Sequence, residues 1–394
     1  MATKLVEFNP KRSKPAIPTQ FPSSSIPILP GELITEILSR LPVKSLLKFR
    51  SASKSWLALI SSPEFIKNHL SISANNKEYT HHRLILSFPG PRSIYNNLKD
   101  CSLGSLLDGS VVEVSELNRP PGTFWFVMGS VNGLVCLVSG LCISFVNEKK
   151  KVVLWNPSIR KYKKLPDLGT SLSKATCVLF GFGYDEFHDD YKVVGFYYSF
   201  GNLSSVEGKI YSLKEDSWRS THYPLPDELR FYGKGMFVNG KLHWTYRGRK
   251  IIHIISIDLA DEKWEKVEPP CWGEEDVLIL DLVVLGNNLS VIRHGYPRNV
   301  NPDTDVWVMK EYGVKESWTK MFTLKYPVSS PPFLISNKDE ILLMFGKKFL
   351  LYNLKDESTR YPEFTKLKFG NVWEVYLESL VSPLLQNKPR TQQE

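Results

Sequence analysis

A chain of 394 residues has room for one small and one large domain, or a few medium ones. Its 42% hydrophobic and 12% aromatic content is that of a folded protein and excludes a wholly disordered one. The net charge of +9 is unevenly placed: residues 1–73 hold ten Lys or Arg against four Asp or Glu, so the larger remainder lacks the basic stripe a nucleic-acid reader needs.

Residues 1–25 are rich in Pro, Ser and Lys, show no period, and read as a disordered leader. They lack the apolar core of a signal peptide. No apolar run in the chain is long enough to cross a membrane as a helix. A cytoplasmic and/or nuclear location is expected. Lys11–Arg12–Ser13–Lys14 is either a weak nuclear-import patch or a solvated tail. The five cysteines are odd in number and contain no Cys-x-x-Cys pair, which argues against a disulfide framework and a structural zinc site.

Between residues 26 and 73 the pattern is helical. Leu29, Leu33, Ile34, Ile37, Leu38 and Leu41 follow the 3.6-residue period of an amphipathic helix. Pro30 suits its first turn, and Pro42 ends it and opens a second helix carrying Val43, Leu46 and Leu47. Ser51 or Ser53 can cap a third, with Trp56, Leu57 and Ile60 on its face, and Ser62–Pro63–Glu64 reads as the start of a fourth. So short a unit cannot hide this many large apolar residues alone. It docks on the rest of the chain or on a partner.

Residues 74–80 read as a polar linker. From His81 onward, short apolar and aromatic runs alternate with Gly, Asn, Asp and Pro, as in a chain of many short strands. A strand–turn–aromatic unit recurs, anchored by Tyr162, Trp218, Trp264, Trp318 and Tyr361 at separations of 56, 46, 54 and 43 residues. Asn-centred turns stand at Asn132–Gly133, Asn239–Gly240 and Gly286–Asn287, the strongest short hairpin signal. A repeat of about fifty residues with several strands is the signature of propeller blades. About six fit, near 81–117, 130–165, 177–225, 234–270, 278–326 and 333–364, with 371–383 pairing back on the first to close the ring. A pair of β-sandwiches is the other architecture. In a propeller, each recurring aromatic would pack at the same place between neighbouring sheets. Residues 384–394 read as a disordered tail.

The run Leu29–Pro30, Glu32–Leu33–Ile34, Glu36–Ile37–Leu38, Arg40–Leu41–Pro42–Val43–Lys44–Ser45–Leu46–Leu47, Ser53–Lys54–Ser55–Trp56 and Pro63–Glu64–Phe65 resembles an F-box. Gly31 and Ala52 depart from the usual residues without removing an anchor. Trp155–Asn156–Pro157–Ser158, Gly181–Phe182–Gly183–Tyr184–Asp185, Asp190–Tyr191–Lys192–Val193–Val194 and Glu378–Ser379–Leu380 resemble the F-box-associated domain of plant F-box/kelch-repeat proteins, of which the S-locus F-box proteins are one branch. Kelch double-glycine signatures are degenerate here. The resemblance implies a multidomain α plus all-β chain: a three-to-four-helix F-box over 26–73 and a kelch-like β-propeller over 81–383. It implies the substrate-recognition subunit of an SCF-type (Skp–cullin–F-box) ubiquitin ligase, which holds a target protein for ubiquitination and degradation. The Skp-type adaptor, bridging to a cullin scaffold, would be contacted by Leu29, Pro30, Leu33, Ile34, Ile37, Leu38, Leu41, Pro42 and Leu46; for any one of them, internal core is an equal reading.

No catalytic constellation accompanies these motifs, and no cofactor is expected. Gly181–Phe182–Gly183 lacks a third glycine and a following helix, so it reads as close strand packing. His188–Asp189–Asp190 reads as a polar hairpin turn better than as a metal site. His81–His82 reads as a surface pair beside the linker. Arg230, Tyr232, Tyr296 and Arg298, in the longer loops, are residue types enriched at interaction hot spots and mark the expected target surface; ordinary solvated loops are an equal reading for any one of them. The rival functions are a non-degradative F-box scaffold, or a propeller lectin or enzyme carrying an F-box.

Overall fold

The computed structural model describes residues 29–89, 96–122, 124–140, 150–168, 177–199, 202–221, 230–247, 252–271, 280–294, 304–324, 330–336, 338–345, 348–365 and 371–384. The expected leader and tail lie outside them, apart from Leu384.

Four helices come first: α1 (Gly31–Ser39), α2 (Val43–Phe49), α3 (Lys54–Ser61) and α4 (Pro63–Ala74). Pro30 and Pro42 are the residues before α1 and α2, in extended backbone that leads into a helix without costing it a hydrogen bond. Ser53 Oγ accepts from the Trp56 N–H and Ser62 Oγ from the Phe65 N–H, so each serine satisfies a donor that the helix start leaves open. Leu38, Val43, Leu46, Ile60 and Phe65 close over one another as a small core, and Leu380 from the far end of the chain completes it.

The rest is β-structure, with one short helix α5 (Leu103–Asp108). The first sheet holds β1 (His82–Pro89), β2 (Asn96–Ser102) and β3 (Val114–Glu116); the second holds β4 (Trp125–Val131), β5 (Leu134–Ser139), β6 (Val152–Asn156) and β7 (Lys161–Lys164). Next come β8 (Cys177–Asp185), β9 (Asp190–Ser199), β10 (Asn202–Ser212) and β11 (Ser217–Thr221), then β12 (Arg230–Val238), β13 (Lys241–Arg247), β14 (Ile252–Asp258) and β15 (Trp264–Val267). The last groups are β16 (Leu280–Leu285), β17 (Asn288–His294), β18 (Thr304–Met309) and β19 (Trp318–Leu324), and β20 (Ser330–Ile335), β21 (Glu340–Phe345), β22 (Lys348–Asn353) and β23 (Thr359–Arg360). Finally β24 (Asn371–Leu377) pairs antiparallel with β1, as expected for ring closure.

Each group is an antiparallel meander, but the hydrogen-bonded sheets are not about six separate blades. Four sheets have four strands, and one has eight, in which β8–β11 and β12–β15 are joined by a parallel bridge between Gly181 and Gly235. The cause is local. A Cβ on Gly181 would lie 3.1 Å from the Gly235 Cα and 2.7 Å from the Trp244 ring, so two glycines let two backbones meet under one indole. Gly181 and Gly183 thus serve close packing, as their sequence suggested.

The core is distributed between successive sheets. One apolar cluster joins the second sheet to β8–β11, another joins β8–β10 to β13 and β14, and a third joins the first sheet to β21 and β22. This sequential packing, with last meeting first, is a propeller and excludes a pair of sandwiches. The Asn132–Gly133, Asn239–Gly240 and Gly286–Asn287 turns all have positive φ at both positions and connect the first two strands of their groups.

The recurring aromatics do not all behave alike. Trp218 Nε1–H donates to the Pro166 carbonyl at 2.9 Å, and Trp318 Nε1–H donates to the Glu268 carbonyl at 2.9 Å. In both cases the acceptor follows the outermost strand of the preceding group, so the indole pins adjacent sheets at their rim. Trp264 packs against the core of the double sheet. Tyr162 and Tyr361 are instead exposed at 37% and 56%. Trp318→Phe should therefore cost about 1–2 kcal/mol in chemical unfolding, from the lost hydrogen bond and the smaller ring, while Tyr162→Phe should cost nothing measurable. Equal losses at both positions would refute the rim-pin assignment.

Candidate functional site

The helical module presents one face outward. Leu29, Leu33 and Ile37 recur every four residues and are 52%, 46% and 52% exposed, an apolar stripe open to solvent. Pro30 and Pro42 are also exposed, and Ile34 and Leu41 are half-buried. Phe49 and Leu57 add to the exposed apolar surface of the module, with the Phe49 ring edge-to-face on Trp56 at 5.4 Å. Five of the twelve large exposed apolar residues among the described residues thus fall on this short module. Two of the nine expected contact residues are not on the surface. Leu38 and Leu46 are fully buried in the module's own core: Leu38 faces inward from α1, about 100° round the helix from Ile37, and Leu46 meets it from α2. They support the stripe from behind.

The module is mounted on the propeller at a built seam. Asn156, fully buried at the end of β6, places its Nδ2 3.0 Å from the Ser379 carbonyl, 3.1 Å from Ser379 Oγ and 2.8 Å from the Val381 carbonyl. This fixes the segment after β24 and so delivers Leu380 into the helical core. Gly133 fits the same place: its Cβ would collide with Ser379. On the other flank, Lys67 of α4 pairs with Asp189 of the β8–β9 turn at 3.0 Å. A groove of about 780 Å³ remains beside it, lined by Ile66, Leu70, Tyr184, Tyr191 and Val381.

Three histidines occupy the seam. His69 Nε2 lies 2.9 Å from the Leu41 carbonyl, and the His69 and His81 rings meet edge-to-face at 5.8 Å. His81 is buried, and its carbonyl accepts from the Glu378 N–H at 2.8 Å, so the sequence reading of His81–His82 as a surface pair is corrected. His81 stands directly before β1, where its ring meets His69 of α4, and His82 is half-buried. The Nδ1 atoms of His69, His81 and His82 are buried without a hydrogen-bond partner. Burial, then the neighbouring His81 charge, lowers the His82 pKa to about 4; burial lowers His69 and His81 as well. These rings are held neutral in the folded state and take up protons on unfolding. Stability therefore is present above pH 6.5 and falls as pH drops from about 6.5 towards 4. Thermal unfolding across that window should show a loss of a few kcal/mol, and His81→Gln with His82→Gln should reduce it, the rest remaining with His69 and with His243, whose burial also lowers its pKa to about 4. An unchanged pH dependence in that variant would overturn the assignment.

The other polar clusters are self-satisfied. Lys192 Nζ lies 2.9 Å from Asp185 Oδ2, 3.1 Å from Glu262 Oε1 and 2.5 Å from the Leu259 carbonyl, clamping β9 to the β14–β15 turn. His188 Nδ1 lies 2.7 Å from Asp185 Oδ2, within the polar hairpin expected there. A channel of about 710 Å³ runs where the inner strands converge, and Lys234 of β12 pairs with Glu374 of β24 beside it.

Arg230 and Tyr232 lie on β12, where only the backbone is described, and Tyr296 and Arg298 lie outside the described residues. Topology still orders the two faces of the ring. The β4–β5, β6–β7 and β8–β9 turns and the end of β24 all meet the helices, whereas β12 begins and β17 ends on the opposite face.

A helical module with an open apolar stripe, fixed at one face of a β-propeller, defines a two-part protein: one end built to meet an apolar partner, the other a ring. Residues 26–68 match the F-box domain and residues 130–383 the F-box associated beta propeller domain, and the chain belongs to the F-box proteins that carry this propeller. It is 33% identical over 372 residues to the F-box/kelch-repeat protein At3g23880 of Arabidopsis thaliana, covering 90% of this chain and 96% of that relative. It is 30% identical to the F-box protein CPR1 of the same plant, covering 84% of this chain and 83% of the relative. With F-box protein At4g22390, also from Arabidopsis thaliana, identity is 31% and coverage 84% of each.

Proposed function

We propose that this chain is the substrate-recognition subunit of an SCF-type ubiquitin ligase. The observation that carries the reading is the solvent-open stripe of Leu29, Leu33 and Ile37 on a matched F-box. With Pro30, Pro42, Ile34 and Leu41, it would seat a Skp-type adaptor and, through it, a cullin, with Leu38 and Leu46 as the core beneath. The ring's face opposite the helices, where β12 starts at Arg230 and Tyr232 and where the segment with Tyr296 and Arg298 emerges, would hold the target protein. Ubiquitin transfer is then promoted by proximity: target lysine and charged carrier are held together, and the encounter becomes nearly intramolecular. The chain supplies no catalytic group, and works in the cytoplasm and/or nucleus.

The test is affinity capture from plant cells with the proteasome blocked, comparing the intact chain with one lacking residues 28–73. Adaptor and cullin should appear only with the intact chain, and the target with both. Absence of the adaptor from the intact capture would refute the reading. A retained partner whose lifetime is unaffected by the chain would convert it to a non-degradative scaffold.

A further inference from the structure

The outer edge of the second sheet differs from its counterparts. Three of the four residues of β7 are lysine, and the strand follows Arg160 in the turn from β6. Lys163 is matched by Asp216 at 2.7 Å on the next group. Lys161 and Lys164, with Arg160 before them and Lys151 just before β6, are exposed, and their charges meet no carboxylate within salt-bridge distance among the described residues. Val153 pairs with Lys164 and Asn156 with Lys161, so these cations run the length of the edge. Tyr162 stands among them in solvent, where the matching residues of β11, β15 and β19 are tryptophans turned into the core or onto the neighbouring sheet. Among the described residues β7 pairs with β6 alone, so its outward N–H and C=O groups form an open ladder.

Lysine on an edge strand ordinarily guards against aggregation. That task needs one outward charge. Several unmatched cations on one blade repel each other, which is a cost edge protection does not require. We propose that the β7 edge is a docking strip for an extended acidic segment of a partner protein, which adds as a fifth strand of the second sheet. Backbone pairing would supply the register; Lys161 on one face of the strand, and Tyr162 with Lys164 on the other, would meet carboxylates presented on both faces of the incoming segment, with Arg160 and Lys151 at its ends. The strip is separate from the helical stripe and from the face where β12 begins, so it stands whatever becomes of the ligase assignment.

The experiment is fluorescence anisotropy of the full chain with a labelled peptide of Glu-Glu-Thr repeats, which carries carboxylates on both faces of an extended strand. Saturable, salt-sensitive binding is expected, weakened about tenfold or more by Lys161→Glu with Lys164→Glu and by N-methylation of alternate peptide amides. Lys161→Gln with Lys164→Gln serves if the reversal variant fails to fold, and should weaken binding in the same direction. Three outcomes would overturn the proposal: no saturable binding by the wild-type chain, equal binding of the N-methylated peptide, or duplex DNA or phosphatidylserine vesicles bound in preference to the peptide. Aggregation of the Gln variant without peptide binding by the wild type would assign the lysines to edge protection instead.

Discussion

Replacing Leu33 and Ile37 together by aspartate should abolish capture of a plant Skp-type adaptor while leaving the thermal unfolding of the chain nearly unchanged. Both side chains are about half exposed, so the folded chain loses little when they become charged. A partner that covers them loses two apolar anchors and must desolvate two carboxylates. At about 2 kcal/mol or more per central anchor, affinity should fall roughly a thousandfold. Leu46→Ala is the informative contrast. That side chain is fully buried in the helical core, and truncating it costs about 2–5 kcal/mol of folding stability. Calorimetric titration with the adaptor, run beside thermal unfolding, separates the two: the first variant changes binding alone, the second changes stability first. If the double aspartate variant bound as tightly as the wild type, the stripe would not be the adaptor contact.

Asn156→Ala should loosen the helical module from the propeller without unfolding most of the ring. The Asn156 amide has two hydrogens for three acceptors between 2.8 and 3.1 Å, so one is shared, and all three acceptors belong to Ser379 and Val381. Removing the donor leaves buried carbonyls without partners, at about 1–3 kcal/mol each. Once the segment is released, Leu380 leaves the helical core, which then lacks one of its six buried members. Protease should cut between Leu377 and Leu384 at a rate far above wild type, and small-angle scattering should report a wider spread of distances. Asn156→Asp keeps the size and loses the donor, so it should behave like Asn156→Ala. A wild-type digestion pattern in both would show that the seam is held elsewhere.

The β-meanders were legible in the sequence because their signals are local. Asn–Gly turns need positive φ at both positions, and that need is visible in two letters. The closing strand was legible because residues 371–377 alternate and have no other partner. Leu38 and Leu46 stood among the contact residues that the F-box resemblance implies, with internal core an equal reading for each, because neither motif nor periodicity says which arc of an apolar face meets solvent. The Asn156–Ser379 bond joins residues 223 positions apart, and the composition around either one carries no sign of the other. His81 and His82 looked solvent-borne beside a polar linker; only the docking of α4 above β1 buries them. The fused double sheet came from two glycines far apart in sequence that meet beneath Trp244, a contact that spacing along the chain does not encode.

The pairing of β24 with β1 also sets a schedule. About 290 residues separate β1 from β24, so at about 5–20 residues per second a ribosome delivers the closing strand roughly 15–60 seconds after the strand it pairs with. Throughout that interval β1 has an open edge towards the ring's interior, and the helical core waits for Leu380. Both parts are finished by the same short stretch, residues 371–381, and at the same moment. A chain that stopped before Asn371 would lack the closing strand and the seam together. Such a product would have neither a sealed ring nor a firmly seated helical module.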